Sequence, residues 1–148
     1  EGSYVNRGEP LATGYRDDPI YRGESRVMLE GDILVRPAYY GTLSDYWESA
    51  YFTFSFPNVL TLWSSRREME EGLPPLEGTP LRIEPTYFLK PSKRKNYSKD
   101  PAHSINIEGF TLSTNFLFGT TLLKLGTVAP DPTGKFEELK DMINRILY

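Results

Sequence analysis

The chain has 148 residues, of which 39% are hydrophobic and 14% aromatic, enough apolar material for one folded domain. Its formal net charge of -3 argues against general nucleic-acid binding, which requires a basic surface. The sequence has no cysteine, which excludes a disulfide framework and any thiolate metal site and agrees with a cytoplasmic location. No apolar stretch approaches the roughly 20 residues of a membrane span, so we expect no transmembrane segment.

The first part of the chain, residues 1–26, has no regular apolar pattern. It is rich in Gly, Arg, Asp, Pro and Tyr, which predicts a flexible or loosely docked N-terminal arm. An alternative is an extended arm that pairs along the edge of a sheet, with Tyr15, Ile20 and Tyr21 as anchors. The remaining residues, 27–148, are predicted to form the folded domain.

Seven short runs after this arm have the alternation, or the β-branched and aromatic content, that is typical of strands. The run Val27–Arg36 is interrupted at Gly31, which predicts a bulge there. A strand at Trp47–Phe56 is followed closely by one at Val59–Trp63, and Ser64–Gly78 is predicted to be a long loop. The other four predicted strands are Thr79–Ile83, Thr86–Lys90, His103–Phe110 and Thr120–Ala129.

The C-terminal segment changes to a helical period. In KFEELKDMINRILY, apolar residues recur every three or four positions, which predicts an amphipathic helix. Asp131 is the predicted N-cap, with Pro132 as the first helical residue. The predicted apolar face consists of Phe136, Leu139, Ile143, Ile146 and Leu147.

The order of these elements resembles the pleckstrin-homology (PH) family. LEGDILVR is similar to the first strand of that family, WESAYFTF and VLTLW to its second and third strands, and LLKLG with GKFEELKDMI to its last strand and helix. The resemblance implies a mainly β fold, a seven-stranded antiparallel PH-like sandwich or barrel capped by one C-terminal amphipathic α-helix. The tryptophan that is typical of the family's helix is replaced here by Phe136.

The resemblance also bears on ligand binding. Phosphoinositide-binding members of the family carry basic residues at the end of strand one and along strand two. In this sequence Arg36 is the only cation on that stretch, and strand two carries Glu48, which would repel a multiply charged inositol phosphate. The resemblance therefore implies that the usual phosphoinositide pocket is lost.

Positive charge is concentrated elsewhere, in KPSKRKNYSK at Lys90–Lys99. This segment holds five of the 17 Lys and Arg residues and no acid. It is predicted to be a basic loop between the fifth and sixth strands, and some PH-like domains bind anionic headgroups at an atypical site between this loop and the one after strand one. The lipid-binding residues predicted on this basis are Lys90, Lys93, Arg94, Lys95, Tyr97, Lys99 and Arg36. An ordinary solvated loop is the alternative.

These features predict a non-enzymatic PH-like module for peripheral binding to anionic phospholipid membranes, in the cytoplasm. The alternative is a protein–protein interaction or scaffolding module that uses Tyr39 and Tyr40, an exposed sheet edge or the N-terminal arm. His103 is the only histidine, and no catalytic motif accompanies it. We therefore predict no catalytic residue, no metal and no cofactor; the partner is an acidic phospholipid surface or a protein.

Overall fold

The structure is a computed structural model, and it describes residues 26–39, 42–44, 46–96, 105–115 and 119–148. In these ranges the chain forms nine strands and two helices. The strands are β1 (Val27–Val35), β2 (Ala38–Tyr39), β3 (Thr42–Leu43), β4 (Glu48–Ser55), β5 (Val59–Trp63), β6 (Leu81–Arg82), β7 (Phe88–Asn96), β8 (Ile105–Ser113) and β9 (Thr121–Val128). The helices are α1 (Arg66–Glu70) and α2 (Lys135–Ile146).

Seven of the strands form one antiparallel sheet in the order β6-β5-β4-β1-β9-β8-β7, and β2 pairs with β3 in a small separate hairpin. The predicted mainly β fold with seven antiparallel strands and a C-terminal helix is confirmed. The sheet is not closed into a barrel, since β6 and β7 stand at its two ends. It is sandwich-like, with two halves that share β1.

The two halves of the sheet meet at the end of β1. β1 pairs with β4 along its whole length, but it pairs with β9 only at Leu34 and Val35. The pairing of β1 with β9 is therefore confined to the C-terminal end of β1, and α2 packs against β1. We call this junction of β1 and β9 the corner of the sheet.

The apolar face of α2 closes the core. Phe136, Leu139 and Ile143 are buried, and the ring of Phe136 stacks on that of Phe110 with 5.4 Å between the centroids. Ile146 and Leu147 are partly buried against the same cluster. The predicted apolar face of the helix is confirmed, and it buries against residues from both halves of the sheet.

The predicted start of this helix is wrong. The helix begins at Lys135, and its N-cap is Gly134 with a left-handed φ of 76°. Asp131 nevertheless contacts the first turn of the helix: its Oδ2 accepts a hydrogen bond of 3.1 Å from the N–H of Glu137. The carboxylate reaches that donor because residues 131–134 fold back over the first turn, which the sequence pattern does not reveal.

Two other local predictions are corrected. The predicted loop Ser64–Gly78 contains α1, which Ser65 caps by accepting a 3.2 Å hydrogen bond from the N–H of Glu68. The predicted bulge at Gly31 is absent, since Gly31 pairs regularly with Phe52 and the irregularity lies between Val27 and Leu29. Gly31 lies beneath α2 instead.

The boundary of the fifth predicted strand is also wrong. β7 does not end at Lys90 but continues to Asn96, paired residue by residue with β8. Lys90–Asn96 is therefore a strand and not part of a loop. The Lys, Arg and Pro residues that suggested a loop are also typical of edge strands. Charged side chains there discourage pairing with another chain, and Pro91 has no N–H to donate to a further strand.

A candidate anion-binding site

A row of polar residues crosses four strands at the corner of the sheet. The pairing of β7, β8 and β9 aligns Lys90 with Thr111 and Thr111 with Lys124. Arg36, the residue after β1, extends the row, since its N–H donates a 3.0 Å hydrogen bond to the carbonyl oxygen of Lys124. Successive residues of a strand face opposite sides, so this row lies on the face opposite the core residues Phe110 and Leu125.

These four residues line one pocket of about 180 Å³, together with Trp47, Ser92 and Phe110. Arg36, Lys90 and Lys124 come from three different strands or strand ends, and they bring three positive charges to the pocket. No acidic residue lines it in the described part of the chain. Since like charges are gathered there without a carboxylate in the lining, the pocket is suited to an anion.

Trp47 forms one side of the pocket. Its ring lies against the paired glycines Gly109 and Gly126: a Cβ at these positions would stand 3.3 Å and 3.1 Å from the Cη2 atom of the tryptophan. Trp47 does not belong to the buried core cluster. The two glycines thus leave a flat backbone surface on which the indole rests, outside the core and beside the cationic row.

Arg36 is held by this tryptophan. Its Cζ atom lies 5.4 Å from the centroid of the Trp47 ring, within cation–π range. The Nε atom of Arg36 is buried and has no hydrogen-bond partner in the described residues. A buried donor without an acceptor costs about 1–3 kcal/mol.

The structure brings together two of the residues predicted for lipid binding, Arg36 and Lys90. For Lys93, Arg94 and Lys95 it describes the backbone, which belongs to β7. Tyr97 and Lys99 lie outside the described residues.

The predicted basic loop is corrected for Lys90–Asn96, which belongs to β7. A strand rises about 3.3 Å per residue, so Asn96 is roughly 20 Å from Lys90, and successive positions belong to opposite faces of the sheet. Of this run, Lys90 and Ser92 are the residues described as lining the pocket.

The residues predicted for a protein interface are described less fully. Tyr39 is in β2, where the structure gives the backbone, and Tyr40 lies outside the described residues, as does His103. Tyr46, which precedes Trp47 in the chain, is 76% exposed. Its ring is therefore available for contact with a partner or a surface.

Sequence reasoning missed Lys124, Thr111 and Trp47 as parts of the site. A signal for Lys124 was present, because it is the polar residue between Leu123 and Leu125 in an alternating strand and is therefore on the outward face. Its position next to Arg36 depends on the pairing of the first and last strands, over 80 residues apart. Arg36 is the only cation of its own stretch, but two cations distant in sequence join it.

The rest of the described surface offers weaker candidates. A cavity of about 240 Å³ lies where β1 and β9 separate, and its lining includes Asp32 but no cation. The described residues hold no group of three or more acidic or histidine side chains arranged for a metal ion. Neither of the described helices has the length and apolar character required to cross a bilayer.

Comparisons with protein-family models, with curated proteins and with solved structures found no match to this chain. Its assignment to a function therefore depends on its own residues and geometry.

Proposed function

We propose that this domain is a non-enzymatic PH-like module that binds peripherally to anionic phospholipid membranes, with a headgroup in the pocket between Arg36, Lys90 and Lys124. The observation that carries the proposal is the convergence of these three cations on one pocket without an acidic residue in its lining. The seven-stranded antiparallel sheet and the C-terminal helix support the PH-like assignment.

The strength of such binding follows from the number of charges. A cation near an acidic membrane contributes about 1 kcal/mol, so three contribute about 3 kcal/mol, or roughly a hundredfold in affinity. The chain as a whole has a net charge of -3, so the local charge of the pocket, and not the net charge, attracts it to an acidic surface. The module is therefore a weak, local membrane contact that requires a second attachment or several copies for stable binding.

The neighbouring aromatic residues fit a membrane surface. Trp and Tyr side chains favour the headgroup region of a bilayer, where the ring is in a partly apolar environment and the polar group stays hydrated. Tyr46 is 76% exposed and Trp47 lines the pocket. In the proposed orientation the pocket and Tyr46 face the membrane, and α2 lies on the far side of the sheet.

Vesicle co-sedimentation tests this proposal. The wild-type protein is expected to bind vesicles that contain acidic phospholipid, and a triple variant with Arg36, Lys90 and Lys124 changed to Gln is expected to lose that binding. The matched control changes Arg67, Arg82 and Arg145 to Gln, three exposed residues that do not line the pocket. Both variants change the net charge equally, so the control is expected to keep most of the binding.

Two results would contradict the proposal. One is a wild-type protein that does not bind acidic vesicles at any lipid concentration while its circular dichroism shows a folded domain. The other is an equal loss of binding in the two triple variants, which would mean that total charge decides and that the pocket has no special role.

A scaffolding function is the second candidate, and one observation favours it. β7 stands at an end of the sheet and, in the described part of the chain, pairs with β8 alone. An extended peptide of a partner protein can add to such an edge by main-chain hydrogen bonds. Failure of the wild-type protein to bind vesicles would favour this function over lipid binding.

A further inference from the structure

We infer that the pocket selects a phosphomonoester group, such as the headgroup of phosphatidate, over phosphodiester headgroups. This inference rests on the proposed function and specifies its ligand. The charge that lines the pocket and the orientation of the Arg36 guanidinium group favour such a ligand.

The pocket has room for a phosphate group. Its volume is about 180 Å³, and the side chains of Arg36, Lys90 and Lys124 line it. Trp47, which rests on the paired glycines Gly109 and Gly126, also lines the pocket.

The lining matches the charge and the shape of a phosphomonoester. Such a group carries a charge of about -1.5 to -2 at pH 7 and exposes three terminal oxygen atoms. A phosphodiester carries a single negative charge and two free oxygen atoms. Arg36, Lys90 and Lys124 supply cationic donors along the row, and the hydroxyl-bearing residues Ser92 and Thr111 also line the pocket. Three cations on one small pocket favour the dianion.

Arg36 provides the directional contact. Trp47 holds the guanidinium group at 5.4 Å from its ring centroid, and the buried Nε–H has no acceptor in the described residues. A guanidinium group that is already oriented offers its donors to a phosphate oxygen without the loss of side-chain freedom that a lysine would incur. Trp47 is thus a positioning residue, which acts on the ligand through Arg36.

The test compares vesicles of equal surface charge that contain either phosphatidate or phosphatidylglycerol. At pH 7.4 we expect phosphatidate vesicles to bind at least about tenfold more tightly. This preference should shrink at pH 5.5, because the second proton of a phosphomonoester is gained near pH 6. In the described residues the charged groups that line the pocket are Arg36, Lys90 and Lys124.

A conservative variant isolates the directional donor. Arg36→Lys keeps the charge but removes the planar guanidinium group, so the preference for phosphatidate is expected to fall severalfold while charge-dependent binding to all acidic vesicles remains. Arg145→Lys, on the exposed side of α2, is the matched control and should change neither quantity. An equal preference in wild type and Arg36→Lys would overturn the role of the oriented guanidinium group.

The outcomes separate this inference from the proposed function. Absence of binding to every acidic vesicle overturns both. Equal binding to phosphatidate and phosphatidylglycerol at matched charge overturns the inference and leaves the proposed function standing. If soluble glycerol 3-phosphate binds as tightly as phosphatidate vesicles, a free phosphate compound and not a membrane lipid is the ligand.

Discussion

Gly109 and Gly126 show how single residues shape the site. They pair across β8 and β9, and a side chain on either would displace Trp47 from the sheet. Gly109→Ala should lower the free energy of unfolding by about 1–3 kcal/mol, because its Cβ would lie 2.7 Å from the carbonyl oxygen of Leu125. Urea denaturation measures this change, and the fluorescence of the protein reports any displacement of Trp47.

Gly31→Ala is the control for this substitution. Gly31 is also a strand glycine, but a Cβ there would be 3.4 Å from Cγ of the Lys135 side chain, which can move. We therefore expect a change in stability within about 0.5 kcal/mol. If the two variants lose the same free energy of unfolding, the short distance between a Cβ at position 109 and the carbonyl oxygen of Leu125 is not the reason for glycine there.

Tyr51 makes the stability of the domain sensitive to alkaline pH. It is buried, and its O–H donates a 2.8 Å hydrogen bond to Oε1 of Glu30. Burial, and then the bond to Glu30, raise the pKa of Tyr51 to about 12 from its ordinary value of 10.0. A raised pKa of an acid favours the neutral form in the folded state, so the stabilisation is present below pH 10 and is lost between about pH 10 and 12.

Tyr51→Phe tests this assignment. Below pH 10 the variant should be less stable than wild type by about 1–2 kcal/mol, because it lacks a hydrogen bond to a charged group. The difference should shrink above pH 10, as the wild-type phenol ionises. Chemical denaturation at pH 8, 10 and 11 measures it, and a difference that is constant over this range would contradict the raised pKa.

At the scale of elements, α2 is the part on which the core most depends. Phe136 is buried and stacks on Phe110, so Phe136→Ala should reduce the free energy of unfolding by about 3–5 kcal/mol. Glu138→Ala, on the exposed face of the same helix, should have little effect. If Phe136→Ala does not fold, Phe136→Leu can be compared with wild type instead. A Phe136→Ala variant that is nearly as stable as wild type would contradict the packing of Phe136 on Phe110.

The elements also show what the sequence can predict. β5 is found at the predicted bounds, Val59–Trp63, since a short apolar run between turn residues identifies a strand locally. β7 was predicted to end at Lys90, because its continuation depends on pairing with β8 and not on its own apolar content. The start of α2 was misplaced because the contact from Asp131 requires a loop that folds back.

At the scale of the whole molecule, the site depends on long-range pairing. Arg36 and Lys90 were singled out from the sequence, one by its place at the end of a strand and one by its charged neighbours. Lys124 was not, because it joins them only when the first and last strands pair at the corner of the sheet. A run of charged residues can be recognised in a sequence, whereas a cluster of residues from several strands can be predicted only when the strand order is known.

Salt is expected to weaken membrane binding. Electrostatic attraction between exposed charges extends over about 10 Å at 0.1 M salt and about 3 Å at 1 M. Since the pocket is cationic while the chain carries a net charge of -3, binding depends on a local field that salt screens readily. Co-sedimentation with acidic vesicles should therefore decrease steeply from 0.1 to 1 M NaCl. Binding that salt does not change would point to apolar insertion as the main interaction.

The most direct test of the central claim is an amide NMR titration with a short-chain, soluble phosphatidate. The account predicts that the largest shifts occur at Arg36, Lys90, Thr111 and Lys124, with a shift of the indole N–H of Trp47. Shifts confined to α1 and β6, or spread evenly over the molecule, would contradict the claim that these cations form an anion-binding pocket.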